Sequence, residues 1–108
     1  MPDAPGLRPA PIFAALGDPT RLRLVDQLCR RGPRSIAELT EGSGVTRQAI
    51  TKHLRVLEAA ELVRSVRSGR MNLFVFRADH IADLRAYLDL VSKQWDEALA
   101  RLKLFVEE

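Results

Sequence analysis

Apolar positions along this chain recur with a helical period, except for one stretch that changes character. Ile12, Phe13 and Leu16 stand at helical spacing before Gly17, predicting a short helix from Ala10. Asp18-Pro19 then supplies an N-cap carboxylate and a proline at the first helical position. The helix it opens places Leu22, Val25, Leu28 and Cys29 on one face and ends near Gly32-Pro33. Ser35-Ile36-Ala37-Glu38 reads as a capping box, opening a third, short helix with apolar Ile36, Ala37 and Leu39. Gly42-Ser43-Gly44 breaks the pattern, and a fourth helix is expected from about Thr46 to Ala60. Leu62–Arg67 and Met71–Phe76 flank Ser68-Gly69-Arg70, and their β-branched and aromatic residues predict a hairpin. Asp79 is placed to cap a last helix running to about Val106.

The predicted order is four helices, a hairpin and a helix. Residues 1–9, with Pro2, Pro5, Gly6 and Pro9, read as a flexible N-terminal tail. Residues 10–108 are expected to form the domain, with residues 80–106 as its C-terminal helix. A chain of 108 residues fits one small domain whose burial is moderate, so a dimer interface would help.

The fourth helix separates two chemistries when wound at 3.6 residues per turn. Ile50, Leu54 and Leu57 share one side. Gln48, Thr51, Lys52 and Arg55 share the other, with Arg47 toward the flank. Arg can bridge guanine O6 and N7, and an amide can pair with adenine N6 and N7. Lys52 suits a phosphate, as a point charge. A short helix, a glycine break and a second helix make a helix-turn-helix, whose second helix enters the major groove by its N-terminal residues. Arg47, Gln48 and Thr51 are therefore assigned to bases, and Lys52 and Arg55 mainly to phosphates or flanking bases. Thr46 caps the helix and can also meet a phosphate. His53 lies nearer the buried side and is left between packing and a phosphate contact. At the hairpin tip Arg67, Ser68 and Arg70 are assigned to DNA backbone or minor groove, where arginine is favoured. The fold class is thus mostly α with a β-hairpin wing: a winged helix-turn-helix, dimerised through its terminal helices.

Charge supports this division. The net charge is only +3. Residues 43–77, however, hold seven basic side chains against two acidic, whereas residues 78–108 hold four against seven. A basic middle third is the footprint of a polyanionic partner. The single cysteine, Cys29, excludes an internal disulfide framework and fits a reducing cytoplasm. The opening MPDAPGLRPAP has neither apolar core nor basic leader and predicts no signal peptide, and no run is long enough for a membrane span.

On the last helix Ile81, Leu84, Leu88, Val91, Trp95, Ala98, Leu102 and Phe105 recur at steps of three and four, as in a heptad seam. Leu90, Leu99 and Val106 widen that surface. A helix of about 39 Å outreaches so small a domain. It is expected to pair with its symmetry mate, helped by Ile12, Phe13 and Leu16. Leu84, Leu88, Val91, Trp95, Leu99, Leu102 and Phe105 are its interface positions. A twofold dimer would set two reading helices about 34 Å apart and call for an inverted-repeat site on double-stranded DNA.

Leu16-Gly17-Asp18-Pro19-Thr20-Arg21-Leu22-Arg23-Leu24-Val25, followed by the run Val45 to Val63 with Lys52-His53-Leu54-Arg55-Val56-Leu57-Glu58 at its centre, closely resembles the ArsR/SmtB family of transcriptional regulators. The resemblance implies a homodimer at a palindromic operator, usually as an autoregulating repressor. Glu61 departs from it, because the family often has glycine there. The family is known for metal sensing, but the third helix here lacks the Cys-x-Cys pattern. Asp79, His80 and Asp83 only hint at the carboxylate–histidine site on the last helix, and Cys29, expected to be buried, cannot close a thiolate site alone. No metal site and no cofactor are therefore expected, and a thiol switch would need a resolving cysteine. A metal- or thiol-responsive repressor would require a non-standard site.

No nucleophile–base pair, glycine-rich phosphate loop or carboxylate cluster suggests an enzyme. The rival from another class is a winged-helix protein-interaction module, which has no need of Arg47, Gln48, Lys52, Arg55, Arg67 and Arg70 on one face.

Overall fold

The computed structural model describes residues 9–107, which fall into two compact units, residues 9–78 and residues 79–107. The expected flexible tail lies outside the described residues, apart from Pro9, which is helical.

In the first unit the helices are α1 (Pro9–Leu16), α2 (Pro19–Arg31), α3 (Ile36–Thr40) and α4 (Arg47–Ala59). Two strands follow, β1 (Val63–Ser68) and β2 (Met71–Phe76). Local chemistry explains the boundaries. The Asp18 carboxylate accepts the Arg21 N–H at 3.0 Å, with Pro19 behind it. Ser35 Oγ accepts the Glu38 N–H at 3.1 Å, and the Glu38 carboxylate accepts the Ser35 N–H at 2.9 Å, a closed capping box. Thr46 Oγ1 accepts the Ala49 N–H at 3.1 Å and starts α4.

The end of α4 is unusual. Leu62 N–H donates to the Leu57 carbonyl and Glu61 N–H to the Glu58 carbonyl, the paired bonds of a Schellman motif. The motif needs a left-handed residue, and Glu61 takes that place at φ 60°. It is the only non-glycine residue with positive φ among those described.

The core joins all four helices to the wing root. Ile12, Ala15, Leu24, Leu28, Leu39, Ile50, Leu54, Leu57, Leu62, Val63 and Phe74 are buried. Two positions on the expected face of α2 are corrected. On α2 the buried pair is Leu24 and Leu28, while Leu22 is 53% exposed. Cys29 is exposed, not buried. Five apolar residues between Leu22 and Cys29 form two overlapping stripes, and packing against α1 and α4 selects the Leu24–Leu28 stripe.

β1 and β2 pair antiparallel from Val63 opposite Phe76 to Ser68 opposite Met71. Gly69-Arg70 forms the two-residue turn, with Gly69 at φ 61° as the first central residue. β2 has a second neighbour. Arg34 and Phe74 exchange both backbone hydrogen bonds, at 3.1 and 2.7 Å, tying the α2–α3 connection to the wing.

The second unit is the helix α5 (Ile81–Glu107). Leu84 N–H donates to the His80 carbonyl at 2.8 Å, so His80 holds the N-cap position and Asp79 lies one residue before it, not at the cap. No residue of α5 is buried, and every residue from 92 to 107 is exposed. No described helix is long and apolar enough to cross a membrane.

Candidate nucleic-acid interface

Helix α4 is held by complete burial of Ile50, Leu54 and Leu57, each 0% exposed. That anchoring fixes where the remaining side chains stand. Arg47, Gln48, Lys52 and Arg55 are exposed, and Thr51 is half-buried. Ile36 of α3 joins Arg47, Gln48, Thr51 and Lys52 around one open groove of about 560 Å³. Among the described residues, Arg47, Gln48 and Lys52 have no side-chain hydrogen bond or ion pair. Their donors are free for a ligand.

Two members of the set are already engaged. Thr51 Oγ1 donates to the Arg47 carbonyl at 2.8 Å, leaving only acceptor capacity on its hydroxyl. Arg55 Nη1 donates to Glu58 Oε1 at 2.6 Å. The Glu58 charge therefore already balances part of the Arg55 charge that a phosphate would meet.

His53 faces away from this set of donors. Its side chain is 24% exposed, and Nδ1 lies 3.3 Å from Arg21 Nη1 and 3.9 Å from Asp18 Oδ2. Arg21 Nε also donates to the Ala15 carbonyl at 2.7 Å. This cluster fastens the end of α1 and the start of α2 to the middle of α4. The Arg21 N–H holds the Asp18 carboxyl below its ordinary value, with the Arg21 and His53 charges adding to it and partial desolvation opposing.

At the wing tip Arg67, Ser68 and Arg70 are all exposed, and Arg67 Nε donates to the Gly69 carbonyl at 3.3 Å. A second groove, of about 340 Å³, joins Arg47 to Ser35, Ile36, Ala37, Met71 and Asn72. It brings the first residues of β2 beside the start of α4. Sequence reading missed Met71 and Asn72, because the Arg34–Phe74 bridge that places them is a pairing between distant segments.

Of the α1 positions expected at an interface, Ile12 is only 3% exposed, so its side chain is part of the core. Phe13 is 39% exposed and Leu16 half-buried. On α5 Leu84 and Val91 are half-buried, while Leu88, Trp95, Leu99, Leu102 and Phe105 are exposed, with Trp95 at 68%. Among the described residues no three His, Cys, Asp or Glu side chains converge as metal ligands. The Cys29 thiol is pushed above its ordinary value by partial burial and by nearby Asp26, which disfavours the thiolate.

Residues 16–66 match a family model described as a helix-turn-helix domain. The uncharacterized HTH-type transcriptional regulator YuzN of Bacillus subtilis (strain 168) is 42% identical over 79 residues, covering 68% of this chain and 86% of that protein. A solved ArsR-like transcriptional regulator from Rhodococcus sp. RHA1 superposes with a TM-score of 0.74 at 35% identity, covering 89% of this chain and 90% of that one. The chain belongs to the ArsR/SmtB family of winged helix-turn-helix transcriptional regulators. The HTH-type transcriptional repressor SmtB of Mycobacterium tuberculosis (strain ATCC 25618 / H37Rv) is also similar, 33% identical over 88 residues, 82% of this chain and 63% of that one. As an ArsR/SmtB-family member the chain is a DNA-binding transcriptional regulator and not an enzyme.

Proposed function

We propose that this regulator is a homodimeric repressor that reads an inverted-repeat operator with α4 in the major groove. Arg47, Gln48 and Thr51 contact bases. Lys52 and Arg55 contact phosphates or flanking bases, and Thr46 meets a phosphate beside its cap. Arg67, Ser68 and Arg70 at the wing tip reach the backbone or the minor groove.

One observation carries this reading. The unpaired donors of Arg47, Gln48 and Lys52 line a single open groove, while Ile50, Leu54 and Leu57 on the opposite side of α4 are wholly buried. A helix docked this way presents its first turns outward, as major-groove reading requires.

The dimer rests on α5, whose exposed Leu88, Trp95, Leu99, Leu102 and Phe105 follow a heptad-like seam. So much uncovered apolar surface on one helix marks an association site. Phe13 and Leu16 of α1 are taken as further positions of the dimer contact. Repression, rather than activation, is supported by the relative named a repressor.

The experiment is selection from a random duplex pool, followed by titration of the winner at several salt concentrations. The expected winner is an inverted repeat with half-site centres about one helical turn apart. Binding with no preference over the unselected pool would overturn the reading.

A further inference from the structure

The groove in front of α4 is mostly apolar in lining, although four of its five residues carry polar groups. A surface made only to grip phosphates has no use for that. Ile36 is the one wall with no polar side-chain atom, and it is half-buried at the first position of α3. Ile36 and Arg47 also line the adjoining groove beside Met71 and Asn72, so they stand where the two meet. Thr51 faces the same space with its hydroxyl proton already given to the Arg47 carbonyl.

This setting fits one feature of a major-groove edge. Thymine carries a C5-methyl group that cytosine and uracil lack, and it is read by apolar contact. Purine edges offer only donors and acceptors there, which the neighbouring Arg47 and Gln48 suit.

We propose that Ile36 forms a methyl-reading site, taking the C5-methyl of a thymine next to the base contacted by Arg47 or Gln48. The inference rests on the reading of α4 as the major-groove element. It adds a specificity residue from the preceding helix, α3. Uracil keeps every hydrogen-bonding group of thymine, so donors and acceptors alone would leave the two bases indistinguishable.

The probe is a duplex selected by the wild-type chain, remade with each thymidine in turn replaced by deoxyuridine. Fluorescence anisotropy gives the ratio of the two affinities for each position and each variant. At one or more thymidines the wild type should lose about fourfold on removal of the methyl. Ile36→Ala should bind the two forms alike at that position, and Ile36→Val should keep most of the difference. The ratio compares one preparation with two duplexes, so partial unfolding of a variant cancels. Uniform indifference to deoxyuridine would overturn the methyl site while leaving major-groove reading intact. An equal loss in wild type and Ile36→Ala would also overturn it, giving the methyl to another residue. Failure to select any duplex would remove the parent reading and this inference with it.

Discussion

Arg21 Nη1 and His53 Nδ1 lie 3.3 Å apart, joining the first turn of α2 to the middle of α4. Because the same guanidinium donates to the Ala15 carbonyl, the contact ties His53 to the scaffold behind the exposed side of α4. Arg21→Ala should destabilise the fold by about 2 kcal/mol, as expected for a charged donor leaving partly buried acceptors. His53→Ala should lower the urea midpoint yet leave DNA affinity near wild type once folded protein is counted. A lowered affinity with unchanged stability would instead assign His53 to a phosphate.

Glu61 holds a left-handed conformation at φ 60° that an L side chain adopts at a cost of about 1 kcal/mol. The Schellman bonds around it do not depend on its side chain. Glu61→Gly should therefore raise stability by about 1 kcal/mol in urea or thermal unfolding. A loss of stability would mean that the Glu61 side chain contributes more than the strain costs.

The cations of α4 should separate by role. Arg47→Ala should cost about 1–3 kcal/mol and relax base preference, and Lys52→Ala should weaken all duplexes and flatten the salt slope by about 1. Glu58→Gln releases Arg55 from its 2.6 Å ion pair. It should strengthen binding to every duplex and steepen the salt slope by up to about 1. Anisotropy titrations across salt concentrations check all three variants.

Stability should decline on the acid side through two capping carboxylates. The backbone N–H of Arg21 holds Asp18 below its ordinary 3.8, and that of Ser35 holds Glu38 below 4.5. A lowered folded value means that the unfolded chain takes up these protons first. The stabilisation is thus complete above the unfolded values and disappears as pH falls through the folded ones. Asp18→Asn and Glu38→Gln should each make the acid limb shallower in urea titrations repeated between neutral pH and the carboxylate range.

Trp95 is 68% exposed on α5. If the proposed dimer forms through α5, wild type should sediment as a dimer and Trp95→Glu as a monomer with lower operator affinity, because two linked half-sites bind far better than one. A chain that still sediments as a dimer would exclude Trp95 from the interface.

Features set by neighbouring residues were legible in the sequence. The Ser35–Glu38 capping box, the Thr46 cap, the Ile50–Leu54–Leu57 stripe and the glycine turn of the wing stand within a residue or two of expectation. Features set by distant packing were not. Leu22 and Leu24 are equally apolar, and only the contact of α2 with its neighbours decides that Leu24 goes inside. Ile12 sits one residue from exposed Phe13, and its burial likewise depends on what α1 meets. The partner of His53 is remote in sequence, as is the bridge that brings Asn72 beside Arg47. The donors of the site could be named from the chain, while the apolar wall supplied by Ile36 needed the fold.

The Arg34–Phe74 bridge gives the wing a mechanical character. Buried Phe74 is paired on both sides, by Ser65 on β1 and by Arg34, whereas Met71 and Ser68 pair in the ladder only with each other. The hairpin is thus built like a cantilever, its root bridged through Arg34 to the α2–α3 connection and its tip, with Arg67 and Arg70, beyond that bridge. If the wing meets DNA as proposed, a finger held only at its root would let Arg67 and Arg70 follow a backbone whose groove width changes from site to site without disturbing the seating of the helix behind it.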